Sequence, residues 1–274
     1  IFVEGFEGQS IGPGEWLTWA RRCNDLFNSE DPPDGIVVTH GTYVMEETAY
    51  FLNLTVKSDR PVILTGAQRP STTISSDADL NLFNAVLTAG SLDSWDKGVL
   101  VVLNHQINAA REVTKSNTYR METFQSRDLG FLGYVDSDGQ VMYYRSVVRR
   151  HTRNSEFDVA ALNEFPWVDI VMNYAGADGR LVDALVEKGA SGLIIAGMGG
   201  RTLQPALAKA VKNGVIVVRS SNLGSGRVID TPGTTAQGII AADNLLPKKA
   251  RILLMLALTV TRDPEQIQKM FKTY

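Results

Sequence analysis

The stretch Gly35–Thr48, GIVVTHGTYVMEET, decides the fold of this chain. It begins as an apolar strand at Gly35–Val38, passes through a glycine-containing turn at Thr39–Tyr43 and enters a helix near Met45. An apolar strand that leads through such a turn into a helix is half of a βαβ unit. Ligands bind beyond the carboxyl ends of the strands in open parallel sheets, so the turn predicts a binding site. There Thr42 offers a hydroxyl, and the start of the helix directs backbone N–H groups toward the same place.

A second segment of the same construction follows along the chain. Pro61–Gly66 is predicted as a strand, Ala67–Ser71 as its loop and Asp79–Ala89 as the returning helix. One strand–turn–helix is a weak signal, because many α/β proteins contain one. Two in succession predict the α/β class with a parallel sheet.

Together the two segments resemble the L-asparaginase/glutaminase family of the bacterial type, and are similar to its type II members. The shared residues are HGT and MEETAYFL after the first strand, then TGA, RPST and LNLFNAV around the second. The likeness continues through NHQINAAREVTKSNT at Asn104–Thr118 and on to Tyr274. It implies an α/β fold of two domains and an amidohydrolase that acts on a small-molecule amide.

Composition and charge agree with a globular enzyme. The 274 residues suffice for about two domains, and 44% of them are hydrophobic. A net charge of −3 gives no reason to expect nucleic acid or an anionic membrane as a partner. The sequence has no apolar run of the ~18 residues that span a bilayer. Its three histidines show no metal-ligand spacing, so we expect neither a metal nor a cofactor.

The chain divides into three parts. We predict a larger N-terminal α/β domain over residues 1–145, a charged and poorly periodic linker over 146–165, and a smaller C-terminal α/β domain over 166–274. The first domain is expected to hold a mostly parallel, doubly wound sheet. The second alternates strand and helix patterns and includes a long apolar helix at Lys248–Thr261. The resemblance implies a homotetramer, built as a dimer of dimers, in which loops from two subunits close each active site.

Members of the family begin with a strand and a TGGT-type motif that carries their first catalytic threonine. That motif is not found in this sequence. A missing central strand would leave buried backbone groups of its neighbours unpaired. We therefore expect further residues to precede Ile1 in the natural protein. The compartment is left open between cytoplasm and periplasm.

The resemblance also implies the catalytic residues. Thr42 matches the threonine of the family's Thr–Lys–Asp group, and Lys115, within VTK-x-N, matches the lysine. A hydroxyl is a poor nucleophile until an adjacent base removes its proton. The position of the aspartate is occupied by Tyr43. Without that carboxylate, and with burial, we expect the pKa of Lys115 to fall, so that neutral Lys115 serves directly as the base for Thr42.

Substrate contacts are expected from three loops. Gly8 and Gln9 fall where the family has a GSQD-type substrate loop. Gly41, in the turn after the first strand, permits a close approach of the substrate. Ala67 and Gln68 belong to the GAQRPS loop after the second strand.

Three functions remain open on the sequence. The first is hydrolysis of L-asparagine or a related amide. The second is action on an amide or small acid without a free α-ammonium. Tyr43 and the loop Asp230–Thr235 stand where the resemblance implies carboxylates, and an ammonium in a closed pocket needs such partners. The third is a non-catalytic binding protein. The missing first threonine and Tyr43 favour the third, whereas Thr42, Lys115 and Gln9 favour the enzymes.

Overall fold

The computed structural model describes residues 11–197 and 201–274. Helices and strands alternate along most of this part of the chain, and the strands form two main sheets and one short pair. The helices are α1 (Pro13–Phe27), α2 (Met45–Thr55), α3 (Ala78–Gly90), α4 (Arg180–Glu187), α5 (Gln204–Lys212), α6 (Pro232–Ala236), α7 (Pro247–Val260) and α8 (Pro264–Thr273). The strands are β1 (Ile36–Thr39), β2 (Val62–Thr65), β3 (Val99–Leu103), β4 (Gln106–Ala109), β5 (Thr114–Lys115), β6 (Phe124–Gln125), β7 (Gly133–Val135), β8 (Val141–Tyr143), β9 (Val168–Met172), β10 (Gly192–Ala196), β11 (Ile216–Ser220) and β12 (Ile239–Ala241).

The first sheet has the order β1-β2-β3-β4-β7-β8 and is mixed. Strands β1, β2 and β3 run parallel, joined by helical crossovers, whereas β4, β7 and β8 pair antiparallel. Only two residues, Asn104 and His105, connect β3 to β4, and both have positive φ, 50° and 64°. So short a connection can join only antiparallel neighbours. The expected α/β fold is confirmed. Within the first sheet of the described residues, parallel pairing is limited to β1–β3, and the remaining pairs are antiparallel.

Alternation along the strands explains why helices cover both faces of this sheet. Val62 and Leu64 of β2 point into the core formed with α1, α2 and α7. Ile63, between them, points to the opposite face, where Ala85 and Ala89 of α3 pack. Because successive side chains of a strand face opposite sides, a continuous apolar run is buried on both.

The second sheet is parallel, with the order β12-β11-β10-β9. Helices α4 and α5 contribute to the core on one face, and α7 and α8 to the core on the other. Leu253, Leu254 and Leu256 of α7 are fully buried, in the same core as Val62 and Leu64 of β2. The long apolar helix predicted from the sequence therefore joins the two sheets of its own chain. Within the described residues, no helix combines the length and apolarity that crossing a membrane requires.

Candidate active site

Two adjacent turns at the carboxyl ends of β1 and β2 form the floor of the candidate site. The ladder between these strands continues past Thr39, because His40 N donates to Thr65 O at 2.8 Å. The chain then turns and enters α2 at Met45. A Cβ at Gly66 would lie 2.3 Å from the His40 carbonyl oxygen, so only glycine allows the two turns to pack this closely.

The start of α3 holds the loop after β2 in place. Asp77 accepts hydrogen bonds from the backbone N–H groups of Gln68, at 3.1 Å, and Arg69, at 2.9 Å. Asn81 Nδ2 donates to the same carboxylate and to Gly66 O, both at 2.9 Å. These four contacts fix the position from which Gln68 extends its side chain.

A buried lysine of the second domain supports the segment that leads to Lys115. Lys249 Nζ donates to Ala110 O at 2.8 Å, to Arg111 O at 2.9 Å and also to Val113 O. Burial lowers the pKa of Lys249 from 10.5 to about 8. Hydrogen bonds to three carbonyl oxygens offset part of the free energy that burial of this amine costs. The same hydrogen bonds hold the turn before β5 against α7.

Thr42, Lys115 and Gln68, here called the Thr42 cluster, meet within hydrogen-bond distance. Lys115 Nζ lies 2.7 Å from Thr42 Oγ1. Gln68 Oε1 lies 3.0 Å from Thr42 Oγ1 and 3.1 Å from Lys115 Nζ, and it accepts from both. Gln68 Nε2 in turn donates to Arg120 O at 3.2 Å. The structure thus brings together the two residues that were predicted as nucleophile and base, and it adds a neutral third member.

The pKa of Lys115 is lowered from its ordinary value of 10.5, chiefly because the amine is partly removed from water. The Glu46 carboxylate opposes this change, and the Lys248 ammonium adds to it. The direction agrees with the expectation from the sequence, because the side-chain acceptor next to the amine is an amide oxygen rather than a carboxylate.

Glu46 is a residue of the site that sequence reasoning missed. Its buried carboxylate accepts from the Lys115 backbone N–H at 3.1 Å and from Lys248 Nζ at 3.2 Å. In the sequence Glu46 is one of two acidic residues in the first turn of α2, where acidic residues are common. The partner lysine is 202 positions away, so no local pattern signals the contact.

The other predicted site residues lie around the Thr42 cluster or outside the described residues. Tyr43 is 83% exposed and is not one of the residues in contact within the cluster. Gly41 and Ala67, the chain neighbours of Thr42 and Gln68, line an open depression of about 400 Å³. A Cβ at Gly41 would meet nothing within 4 Å, so the space in front of it is free. Gly8 and Gln9 belong to the first ten residues, which the structure does not describe.

This arrangement suits proton transfer followed by nucleophilic attack. An amine with a lowered pKa lies next to a hydroxyl, and Gly41 and Ala67, the chain neighbours of Thr42 and Gln68, line an open depression at the ends of two parallel strands. Ala78 and Asp79, at the start of α3, also line the depression. In residues 11–197 and 201–274, no group of three or more His, Cys, Asp or Glu side chains is placed to hold a metal ion.

Comparison with known proteins gives consistent matches. Residues 2–149 match the family model described as Asparaginase, N-terminal, and residues 167–271 match the Glutaminase/Asparaginase C-terminal domain. The L-asparaginase 2 of Bacillus subtilis is 48% identical over 94% of this chain and 69% of its own length. The L-asparaginase 2 of Escherichia coli is 47% identical over 99% of this chain and 79% of its own length.

A solved structure shows the same architecture. The crystal structure of a probable cytoplasmic L-asparaginase from Campylobacter jejuni superposes with a TM-score of 0.94 at 43% identity. The match covers 98% of this chain and 86% of that one. With both halves matched by family models and relatives of this similarity aligned over nearly its whole length, this chain belongs to the asparaginase family.

Proposed function

We propose that this chain is an asparaginase-type amidohydrolase, which hydrolyses the side-chain amide of L-asparagine or of a related small amide to the acid and ammonia. The observation that carries the proposal is the distance of 2.7 Å between Lys115 Nζ and Thr42 Oγ1. A nucleophile and its base must lie within this range for proton transfer. Membership of the asparaginase family supports the same reaction.

In the first half of the proposed reaction, neutral Lys115 takes the proton of the Thr42 hydroxyl as Thr42 Oγ1 attacks the amide carbon. The lowered pKa of Lys115 makes the neutral amine available at a lower pH than for an ordinary lysine. When the tetrahedral intermediate collapses, Lys115 returns the proton to the amide nitrogen. Ammonia leaves and an ester remains on Thr42. Water, activated by the same amine, then hydrolyses the ester and restores the hydroxyl.

Gln68 is proposed to orient the nucleophile and the base. Its carbonyl oxygen accepts from Thr42 Oγ1 at 3.0 Å and from Lys115 Nζ at 3.1 Å. A neutral acceptor holds the amine in place without stabilising its positive charge as strongly as a carboxylate would. The site can therefore keep its geometry while Lys115 loses a proton.

The test is ammonia release by Lys115→Met and Thr42→Val. We expect either change to lower kcat about 10²–10⁴-fold, the typical contribution of a positioned base, with the fold intact. The matched control is Lys209→Met, which removes an exposed lysine that pairs with Asp183 at 2.8 Å on the surface of the second domain. An unchanged kcat in Lys115→Met would remove this lysine from the mechanism.

A second candidate substrate is an amide without a free α-ammonium group. Two carboxylates near the Thr42 cluster, those of Glu46 and Asp77, are already engaged. Glu46 accepts from Lys115 N and Lys248, and Asp77 accepts from the loop after β2. In the second domain, Asp230 pairs with Lys272 Nζ at 2.8 Å. Leaving a bound ammonium unpaired costs roughly 3–5 kcal/mol, which is about 10²–10³-fold or more in affinity.

This candidate is tested by comparing L-asparagine with succinamate, which lacks the α-amino group. We expect succinamate to have the higher kcat/KM, and Tyr43→Asp to shift the preference toward L-asparagine. The substitution is feasible because the Tyr43 side chain is 83% exposed. Binding of L-asparagine to the unsubstituted protein at micromolar concentration would refute the argument.

The chain is further proposed to form a homo-oligomer, as a tetramer built from two dimers. The apolar residues of α7 are used within the chain, so the support comes from another helix. Leu80, Phe83 and Val86 lie on one side of α3 and are 49%, 57% and 51% exposed. Large apolar side chains that recur at this spacing on a helix mark a surface that a second protein surface covers. A fully active monomer of 30.0 kDa in sedimentation would overturn this proposal.

A further inference from the structure

An ion pair between the two domains contacts the backbone of Lys115. Lys248, near the start of α7, places Nζ 3.2 Å from Glu46 Oε1 and 3.5 Å from Glu47 Oε1, both on α2. The other oxygen of Glu46 accepts from the Lys115 backbone N–H at 3.1 Å. The buried Glu46 carboxylate of the first domain therefore binds both the backbone N–H of Lys115 and the ammonium group of Lys248 from the second domain.

We propose that Lys248 is a positioning residue for Lys115. By holding Glu46 across the domain boundary, Lys248 sets both the placement and the charge of the Lys115 amine beside Thr42. The proposal rests on the proposed function in so far as Lys115 is the base. The ion pair between Lys248 and Glu46 would thus act in the reaction although neither residue lines the open depression.

Lys115 and Lys248 compete for the one negative charge of Glu46. A carboxylate near an amine favours the charged ammonium form. A second ammonium bound to the same carboxylate cancels part of that field, and the neutral form of the first amine becomes more accessible. The influences on the pKa of Lys115 have these signs, since Glu46 raises it and Lys248 lowers it.

The other charged groups near Lys115 leave this competition in place. On α2, Glu47 also pairs with Lys248. On α7, Lys249 is directed to carbonyl oxygens of the turn before β5. Arg120 contributes only its carbonyl to Gln68, and its guanidinium lies 3.9 Å from exposed Glu122. The loop after β2 supplies the neutral amide of Gln68.

Lys248 can be changed without opening the core. Its side chain is 49% exposed, whereas that of Glu46 is only 7% exposed. The substitutions that separate charge from bulk are Lys248→Gln, which removes the ammonium, and Lys248→Arg, which restores a positive charge. Lys209→Gln is the matched control, because Lys209 is also a second-domain lysine in an ion pair, with Asp183 at 2.8 Å.

Two measurements are made on each variant of the full chain. The first is the pH profile of kcat/KM for amide hydrolysis. The second is the pH dependence with which acetic anhydride labels Lys115, followed by peptide mass spectrometry, which does not require turnover. We expect Lys248→Gln to move the acid limb of the profile and the labelling midpoint upward together, by on the order of half a pH unit. At a fixed pH on that limb the rate falls about threefold. Lys248→Arg and Lys209→Gln are expected to keep the midpoints of the unsubstituted protein.

An unshifted labelling midpoint in Lys248→Gln overturns the proposal, and so does an equal shift in Lys209→Gln. A lower thermal stability of Lys248→Gln with an unshifted midpoint assigns the ion pair a structural role only, and this also overturns it. If every variant lacks turnover, the proposed function fails. The labelling of Lys115 still decides the coupling to Lys248, so the two failures are distinguishable.

Discussion

Substituting Gly66 by alanine should separate the two turns that carry Thr42 and Gln68. A Cβ at Gly66 lies 2.3 Å from the His40 carbonyl oxygen and 2.9 Å from Met45 Cε. The methionine end can move aside, but the carbonyl oxygen belongs to the backbone. The two turns must therefore move apart by about 1 Å to reach ordinary van der Waals contact.

The displacement affects both stability and catalysis. Forcing a methyl group into a packed site typically costs about 1–3 kcal/mol. For a chain of this size that lowers Tm by roughly 2–5 °C. The same movement acts on the 3.0 Å contact between Thr42 Oγ1 and Gln68 Oε1. A displacement of about 1 Å of reacting groups can lower the rate about 10²-fold.

Scanning calorimetry and ammonia release measure the two effects in Gly66→Ala. The matched control is Gly90→Ala, at the end of α3, where an added Cβ meets nothing within 4 Å. The control should keep the Tm and kcat of the unsubstituted protein. If Gly66→Ala has both values unchanged, the contact between the two turns is not rigid and the reasoning is refuted. A lower Tm with full kcat would show that the displacement does not reach the Thr42 cluster.

Three further predictions follow from the site, the core and the surface. Gln68→Leu should lower kcat about tenfold, because two hydrogen bonds worth roughly 0.5–1.5 kcal/mol each are lost. Gln68→Glu places a carboxylate beside Lys115, so it should raise the pKa of Lys115 and move the acid limb of the pH–activity profile to higher pH. The pKa of Lys249 is about 8 in the folded chain and its ordinary value is 10.5. The unfolded chain thus binds more protons between these values, and stability relative to Lys249→Met should rise with pH across this window, which urea unfolding at several pH values checks. Phe83→Asp should dissociate the proposed oligomer in sedimentation, while Leu92→Asp, exposed but outside α3, should leave it assembled.

The sequence by itself determined the elements around the site and its two central residues. Strands β1, β2 and β3 are short, continuous apolar runs, and the turns between them and their helices contain the residues that turns require. Such signals are local, so they can be read without the fold. Thr42 and Lys115 are 73 positions apart, and only the family motif associated them before the structure placed them 2.7 Å apart.

Only the tertiary structure decided which groups surround these two residues. The antiparallel part of the first sheet depends on the two-residue turn at Asn104 and His105, which places β4 next to β3. Gln68 contacts Thr42 because Asp77 holds its loop, and Glu46 meets Lys248 because α7 packs on α2. Each of these contacts joins segments that are separate in the sequence, and the local pattern of neither segment specifies its partner. Their geometry is selected only when the shared core brings the two domains together, since burial is non-local and no short pattern encodes it.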